Sequence, residues 1–178
     1  MKLFLTKITK KMSGAEVEAG WTNKFSEEEE IQLGGQQTIL LTTVQRLTAE
    51  WRVAFKFKPT QYSGAGYRPC LSMRNVLTLQ FSSGGTHLQF KQQASQSLQS
   101  KYFYHTLPKL NEWTTIEVEQ RKMDDDGRHL FKFHVGGLQI YSEMFSDCLE
   151  FDNVQVHTGL TQCDFSASIK DFTIETRN

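Results

Sequence analysis

Apolar and polar residues alternate with period two in short runs along most of the chain, and that period belongs to a half-buried β-strand. In residues 51–58, Trp51, Val53, Phe55 and Phe57 share one side, while Arg52, Lys56 and Lys58 share the other. In 76–82, Leu77, Leu79 and Phe81 oppose Thr78 and Gln80; in 87–91, Leu88 and Phe90 oppose His87, Gln89 and Lys91. In 128–135, Phe131, Phe133 and Val135 oppose Lys132 and His134. Runs at 3–8, 16–18, 30–33, 38–44, 101–107, 114–121, 138–143, 151–157 and 168–176 complete a set of roughly a dozen short strands.

Turn residues separate these runs. Ser83-Gly84-Gly85-Thr86, Gly136-Gly137 and Asp125-Asp126-Gly127 each join two of them and predict hairpins. Residues 61–68 and the polar stretch 92–99 read as loops. Thr48-Ala49-Glu50 reads as a helical turn or a loop. No long amphipathic helix is predicted, and there is no repeat of 20–50 residues. One apolar and one polar side per strand is what two antiparallel sheets packed face to face require. The expected fold is therefore all-β, a single antiparallel two-sheet sandwich over residues 1–178, with a closed barrel as the alternative.

Composition narrows the function. The chain has 178 residues, 20 Lys+Arg against 20 Asp+Glu, and 13 Phe. Zero formal charge supplies no field to draw it onto nucleic acid or an anionic membrane, so neither is an expected partner. Membrane insertion is not expected either, because no apolar run is long enough to cross a bilayer. Lys7, Lys10 and Lys11 interrupt the apolar start before it reaches signal-peptide length. Export by another route, a removed leader and a cytosolic role all stay open. Cys70, Cys148 and Cys163 are odd in number, so at least one lacks an intramolecular partner. No C-x-x-C occurs, and buried or spare thiols are the better reading.

Six segments taken in order, WRVAFKFKP (51–59), VLTLQFSSGGTHLQF (76–90), LNEWTTIEVEQ (110–120), HLFKFHVGG (129–137), FDNVQVHTG (151–159) and ASIKDFTIE (167–175), resemble the concanavalin A-like lectin and glucanase superfamily. The likeness is nearest to laminin-G-like modules and weaker to galectins. It implies a jelly-roll sandwich, an extracellular setting, and glycans or glycoproteins as partners. Homo-oligomers stay open. The catalytic E-x-D-x-E of the glucanases has no match; Glu117-Val118-Glu119 comes nearest, with charge pairing to Arg121 or Lys122 as its commoner explanation. The galectin signature H-x-N-P-R followed by W-G-x-E is absent as well. The resemblance thus implies a module that is not an enzyme and needs no cofactor.

In this superfamily order, runs 76–82, 86–91 and 101–107 would be neighbours in the sheet that forms a concave binding face. Outward residues there would be Thr78, Gln80, His87, Gln89, Lys91, Tyr102 and Tyr104, with Arg74 and Asn75 at the rim. Amides, a charged fork and aromatic faces are the chemistries that hold sugars. The candidate binding set is Arg74, Asn75, Gln80, His87, Gln89, Tyr102 and Tyr104; an ordinary hydrated face is the competing reading. A protein-interaction or adhesion module of laminin-G type without a sugar site is the alternative function. Trp113 falls on the polar side of its strand and reads as sheet-end packing or a stacking platform. Asp124–Asp126 reads as a hairpin turn rather than a calcium site, because only part of a six-to-eight-oxygen shell is visible, and Asp147, Asp152 and Asn153 form a second acidic cluster with the same weakness.

Overall fold

The computed structural model describes residues 21–35, 38–61, 68–81, 87–93, 100–106, 108–123, 127–145, 150–158 and 163–177. The expected strands at 3–8 and 16–18 lie outside them. The described chain is all β and contains no helix. It forms β1 (Trp21–Glu27), β2 (Ile31–Gly35), β3 (Ile39–Leu47), β4 (Glu50–Gln61), β5 (Arg68–Met73), β6 (Leu77–Phe81) and β7 (His87–Gln93). Then follow β8 (Ser100–Thr106), β9 (Thr114–Lys122), β10 (His129–Val135), β11 (Leu138–Phe145), β12 (Phe151–Thr158) and β13 (Cys163–Arg177).

These strands build an antiparallel two-sheet sandwich. The seven-stranded sheet runs β1-β13-β4-β9-β10-β11, with β2 also pairing with β13; the six-stranded sheet runs β3-β12-β5-β6-β7-β8. The period-two pattern explains the core directly. Phe55 and Phe57 of β4, Ile116 and Val118 of β9, Phe131 and Phe133 of β10, and Ile169 and Ile174 of β13 point inward from the larger sheet. Val44, Leu71, Met73, Leu77, Leu79, Val154 and Val156 meet them from the smaller one, and all are buried.

Connections follow from local chemistry. Val135 pairs with Leu138, so Gly136 and Gly137 alone make the β10–β11 turn. Their φ values of 61° and 80° put both in the left-handed region that a two-residue hairpin of this kind demands. Between β3 and β4 there is no helical turn: the Thr48 hydroxyl donates to the Glu50 and Arg177 carbonyls and holds a tight bend. Two strands break the expected pattern. β1 is bulged between Asn23 and Phe25, and β5 between Pro69 and Leu71. A bulge inserts one residue and so breaks the alternation that would announce a strand.

Candidate functional site

Strands β6, β7 and β8 are consecutive neighbours in the six-stranded sheet, as the superfamily order implied. Register then fixes which residues share its outer face. One row crosses every strand of the sheet: Leu40 (β3), His157 (β12), Ser72 (β5), Thr78 (β6), Lys91 (β7) and Tyr102 (β8). A second row holds Gln80, Gln89 and Tyr104. His87 lies at the β7 end, paired with Thr106. Five of the seven expected site residues, Gln80, His87, Gln89, Tyr102 and Tyr104, therefore occupy one face; His87, Tyr102 and Tyr104 are placed by register.

The environment of two of them differs from expectation. Gln80 and Gln89 lie on the outer face, but they are not hydrated: they are 9% and 2% exposed. Gln80 Nε2 donates to Gln89 Oε1 across the strand pair. Parity says which face a side chain is on; what encloses that face is a matter of tertiary structure. Ser72 is buried beside them, Thr78 is half-buried, and half-buried His157 has its Nδ1 enclosed with no hydrogen-bond partner among the described residues. An enclosed ring nitrogen without a partner is the kind of group that needs an explanation. Ser72 and His157 were not among the sequence candidates. Ser72 sits in the bulged β5, which showed no alternation. His157 was legible from its parity against Val154 and Val156.

Arg74 and Asn75 are exposed in the β5–β6 turn. The Arg74 amide donates to the Gln155 carbonyl and the Val76 amide to the Met73 carbonyl, both at 2.9 Å. Asn75 has φ 63°, a left-handed conformation that asparagine tolerates better than most residues. Its place in the chain thus has a backbone reason independent of any ligand.

The outer face of the seven-stranded sheet is occupied by its own charges. Register lines up Glu175, Arg52, Glu119 and Lys132 across four strands. Arg52 binds Glu175 at 2.6 Å, and Glu119 binds Arg121 Nε at 2.6 Å and Lys132 Nζ at 3.7 Å. Arg52 and Arg121 also lie over the Trp21 ring, at 5.1 and 5.5 Å. Glu119 is buried within this network, whereas Glu117 faces Ala54 and His134 by register. Arg121 is the partner the sequence suggested for Glu119; Lys132, rather than Lys122, supplies the second cation.

Trp113, just before β9, is half-buried with the Lys58 and Lys170 ammonium groups 4.5 and 4.6 Å from its ring centroid. These cations occupy the ring that a sugar would need, which favours sheet-end packing over a stacking platform. Lys58 also approaches Glu30 at 3.5 Å. A hydrogen bond from Ser168, with Lys58 and Gln32 adding to it, holds the Glu30 carboxyl below its ordinary range. Asp152 and Asn153 are exposed, while Asp124–Asp126 and Asp147 lie outside the described residues. Among the described residues, no three or more His, Cys, Asp or Glu side chains gather to hold a metal.

Neither a protein-family model nor a curated protein matches the sequence. Solved structures share the fold. One is from work on botulinum neurotoxin type C, whose cell entry is described as dependent upon interaction with two ganglioside molecules; its TM-score is 0.57 at 9% identity, over 89% of this chain and 43% of that one. Another is the binding domain of botulinum neurotoxin DC in complex with SialylT, with TM-score 0.54, 10% identity, and the same coverage of 89% and 43%. The binding domain of that neurotoxin in complex with rat synaptotagmin II gives TM-score 0.56 at 9% identity, again over 89% and 43%. This chain thus spans less than half the length of each. Identity this low shows a shared β-sandwich and nothing finer.

Proposed function

We propose that the chain is a non-enzymatic, lectin-like module that holds a glycan on the outer face of its six-stranded sheet. One observation carries the reading: Ser72, Gln80 and Gln89 are neutral hydrogen-bonding side chains sunk into a sheet face, with the two amides locked to each other. Sugar hydroxyls both donate and accept, and prealigned amides and hydroxyls answer both roles at little entropic cost. Lys91, His87, Tyr102 and Tyr104 border this strip in register and would add charge and ring contact. The paired charges around Glu119 support a structural role for the residues nearest to a glucanase motif. Glycans or glycoproteins are the partners. Individual sites of this sort bind weakly, and multivalency supplies avidity.

A protein-interaction or adhesion module without a sugar site is the second reading. The exposure of Ile39 and Leu40 on edge strand β3 favours it.

A glycan array with the purified chain tests the first reading, followed by titration of the best sugar. His87→Ala and Tyr104→Ala should each weaken binding roughly 5- to 150-fold, the equivalent of about 1–3 kcal/mol. His134→Ala, on the other sheet, should leave it intact, and EDTA should have no effect. Loss confined to His134→Ala would move the site to the other sheet, and a blank array would hand the function to the second reading.

A further inference from the structure

We infer that the glycan held on the six-stranded sheet is acidic, its carboxylate or sulfate taken by Arg74 and the His157 ring at the β5–β12 end of the face. The inference rests on the glycan reading above and deepens it by naming the class of sugar. Charge is unevenly spread along this neutral chain. Between Glu50 and Glu112 there are eight Lys and Arg and not one Asp or Glu. The average of 20 acids in 178 residues would place about seven in a stretch of that length. All of β5–β8 lies within it, so the four strands that carry most of the candidate face have no carboxylate of their own. The other two strands of that sheet supply one acid, Asp152, which register sets opposite Arg46 at the other end of β12 from His157. The seven-stranded sheet is built differently: its cations Arg52, Lys56 and Lys58 are matched by Glu175, Asp171 and Glu30.

Two groups on the six-stranded face lack the partner that an anion would supply. The Arg74 amide donates to the Gln155 carbonyl at 2.9 Å, which carries the β5–β12 ladder one pair past Met73 and Val156. Strand parity then puts Arg74 and Gln155 in the outer row next to that of Ser72 and His157, about 7 Å along the strands. Arg74 is exposed, and its guanidinium has no ion pair or hydrogen bond among the described residues. His157 is half-buried, with Nδ1 enclosed and unpartnered. Buried Ser72 lies beside it, and Lys91 stands three strands along the same row. A carboxylate or sulfate oxygen only accepts hydrogen bonds, so it answers a guanidinium fork and an imidazole N–H together. The hydroxyls of the same sugar then meet Ser72 and Thr78. Nucleic acid and anionic lipid are held chiefly through charge, and a strip of buried neutral amides and hydroxyls offers them little.

The test is an array that presents each sugar core in neutral, carboxylated and sulfated forms, with β-galactosides, their C6 carboxylates and their 6-sulfates as one such set. The best acidic member and its neutral counterpart are then titrated calorimetrically. Wild-type chain should bind the acidic member about 10-fold or more tightly than the neutral one, and raised salt should shrink that advantage. Whichever of carboxylate and sulfate binds more tightly identifies the anion. Arg74→Gln should cut the advantage to about threefold or less while leaving the neutral sugar within about twofold. Arg74→Lys, which keeps the charge and loses the fork, should fall between. His157→Gln gives a second reading if Arg74→Gln does not fold. Arg46→Gln removes a cation that already holds Glu150 and should retain the full advantage. Neutral sugars bound as tightly as acidic ones, or an advantage that survives both Arg74→Gln and His157→Gln, overturns the inference and leaves the glycan reading standing. Duplex DNA or phosphatidylserine vesicles bound as tightly as the best acidic sugar overturn it too. A blank array overturns both.

Discussion

Glu119→Gln and Glu117→Gln differ by one position pair on one strand face, yet they should separate clearly in stability. The Glu119 side chain is 5% exposed and meets two cations, Arg121 at 2.6 Å and Lys132 at 3.7 Å. A hydrogen bond to a charged group contributes about 1.5–3 kcal/mol. Both cations are about one-third exposed, at 34% and 32%, so water recovers part of that when the carboxylate goes. Glutamine also keeps the volume and one acceptor. The expected loss is about 1–2 kcal/mol, or roughly 2–8 °C in Tm for a chain of this size. Glu117 has no ion pair among the described residues, and its change should stay within about 0.5 kcal/mol. Urea unfolding followed by Trp fluorescence, with a calorimetric Tm alongside, reads both. Two variants of equal cost, or a Glu119→Gln protein as stable as wild type, would refute the charge-network account. Glycan hydrolysis abolished by either substitution would refute it from the other direction.

Asn75→Val should cost about 1–3 kcal/mol, because a β-branched residue is strained at φ 63°, whereas Asn75→Gly should not destabilise; thermal unfolding of the pair decides. Burial, and then the Glu143 carboxylate to which its hydroxyl donates, raise the Tyr141 phenol above its ordinary value. The folded state thus keeps this proton after unfolded chains have lost theirs, so stability falls as pH rises past about 10. Urea midpoints measured across that range should fall less steeply in Tyr141→Phe, and parallel slopes would contradict the assignment. Thiol titration of the denatured, unreduced chain should find at least one free cysteine, and a count of zero with a doubled mass on a non-reducing gel would mean a disulfide-linked dimer.

Much of the sandwich is legible in the sequence because its strands bury one face and wet the other. β4 and β10 read inside–outside residue by residue, and their burial alternates the same way. β1 escapes such a reading because Trp21 and Phe25 are four apart and the bulge at Asn23–Phe25 changes register between them. β5 escapes it because Pro69 and the following bulge imitate a loop. The candidate site is legible in its face and not in its depth. Register bears out the outer-side placement of Gln80 and Gln89, but alternation carries no information on depth, and both are buried there. Ser72 and His157 enter the same row through the pairing of β5 with β12, which joins residues 85 apart in sequence, and no short-range pattern carries such information.

Strand β13 has a consequence for the order in which the molecule can be made. It pairs with β1 and β2 along one edge and with β4 along the other, through residues as late as Arg177. During synthesis the hairpins β5–β6, β6–β7 and β7–β8 can close as soon as they emerge, since their partners are adjacent. β1 and β2, made far earlier, must wait for the last stretch of the sandwich before they gain any partner in the described fold. Until then their backbone groups, and the β13-facing edge of β4, stand open to neighbouring chains. Nascent chains are therefore exposed to mispairing along this edge until β13 emerges, and removing Phe172–Arg177 would leave β1 without its partner strand.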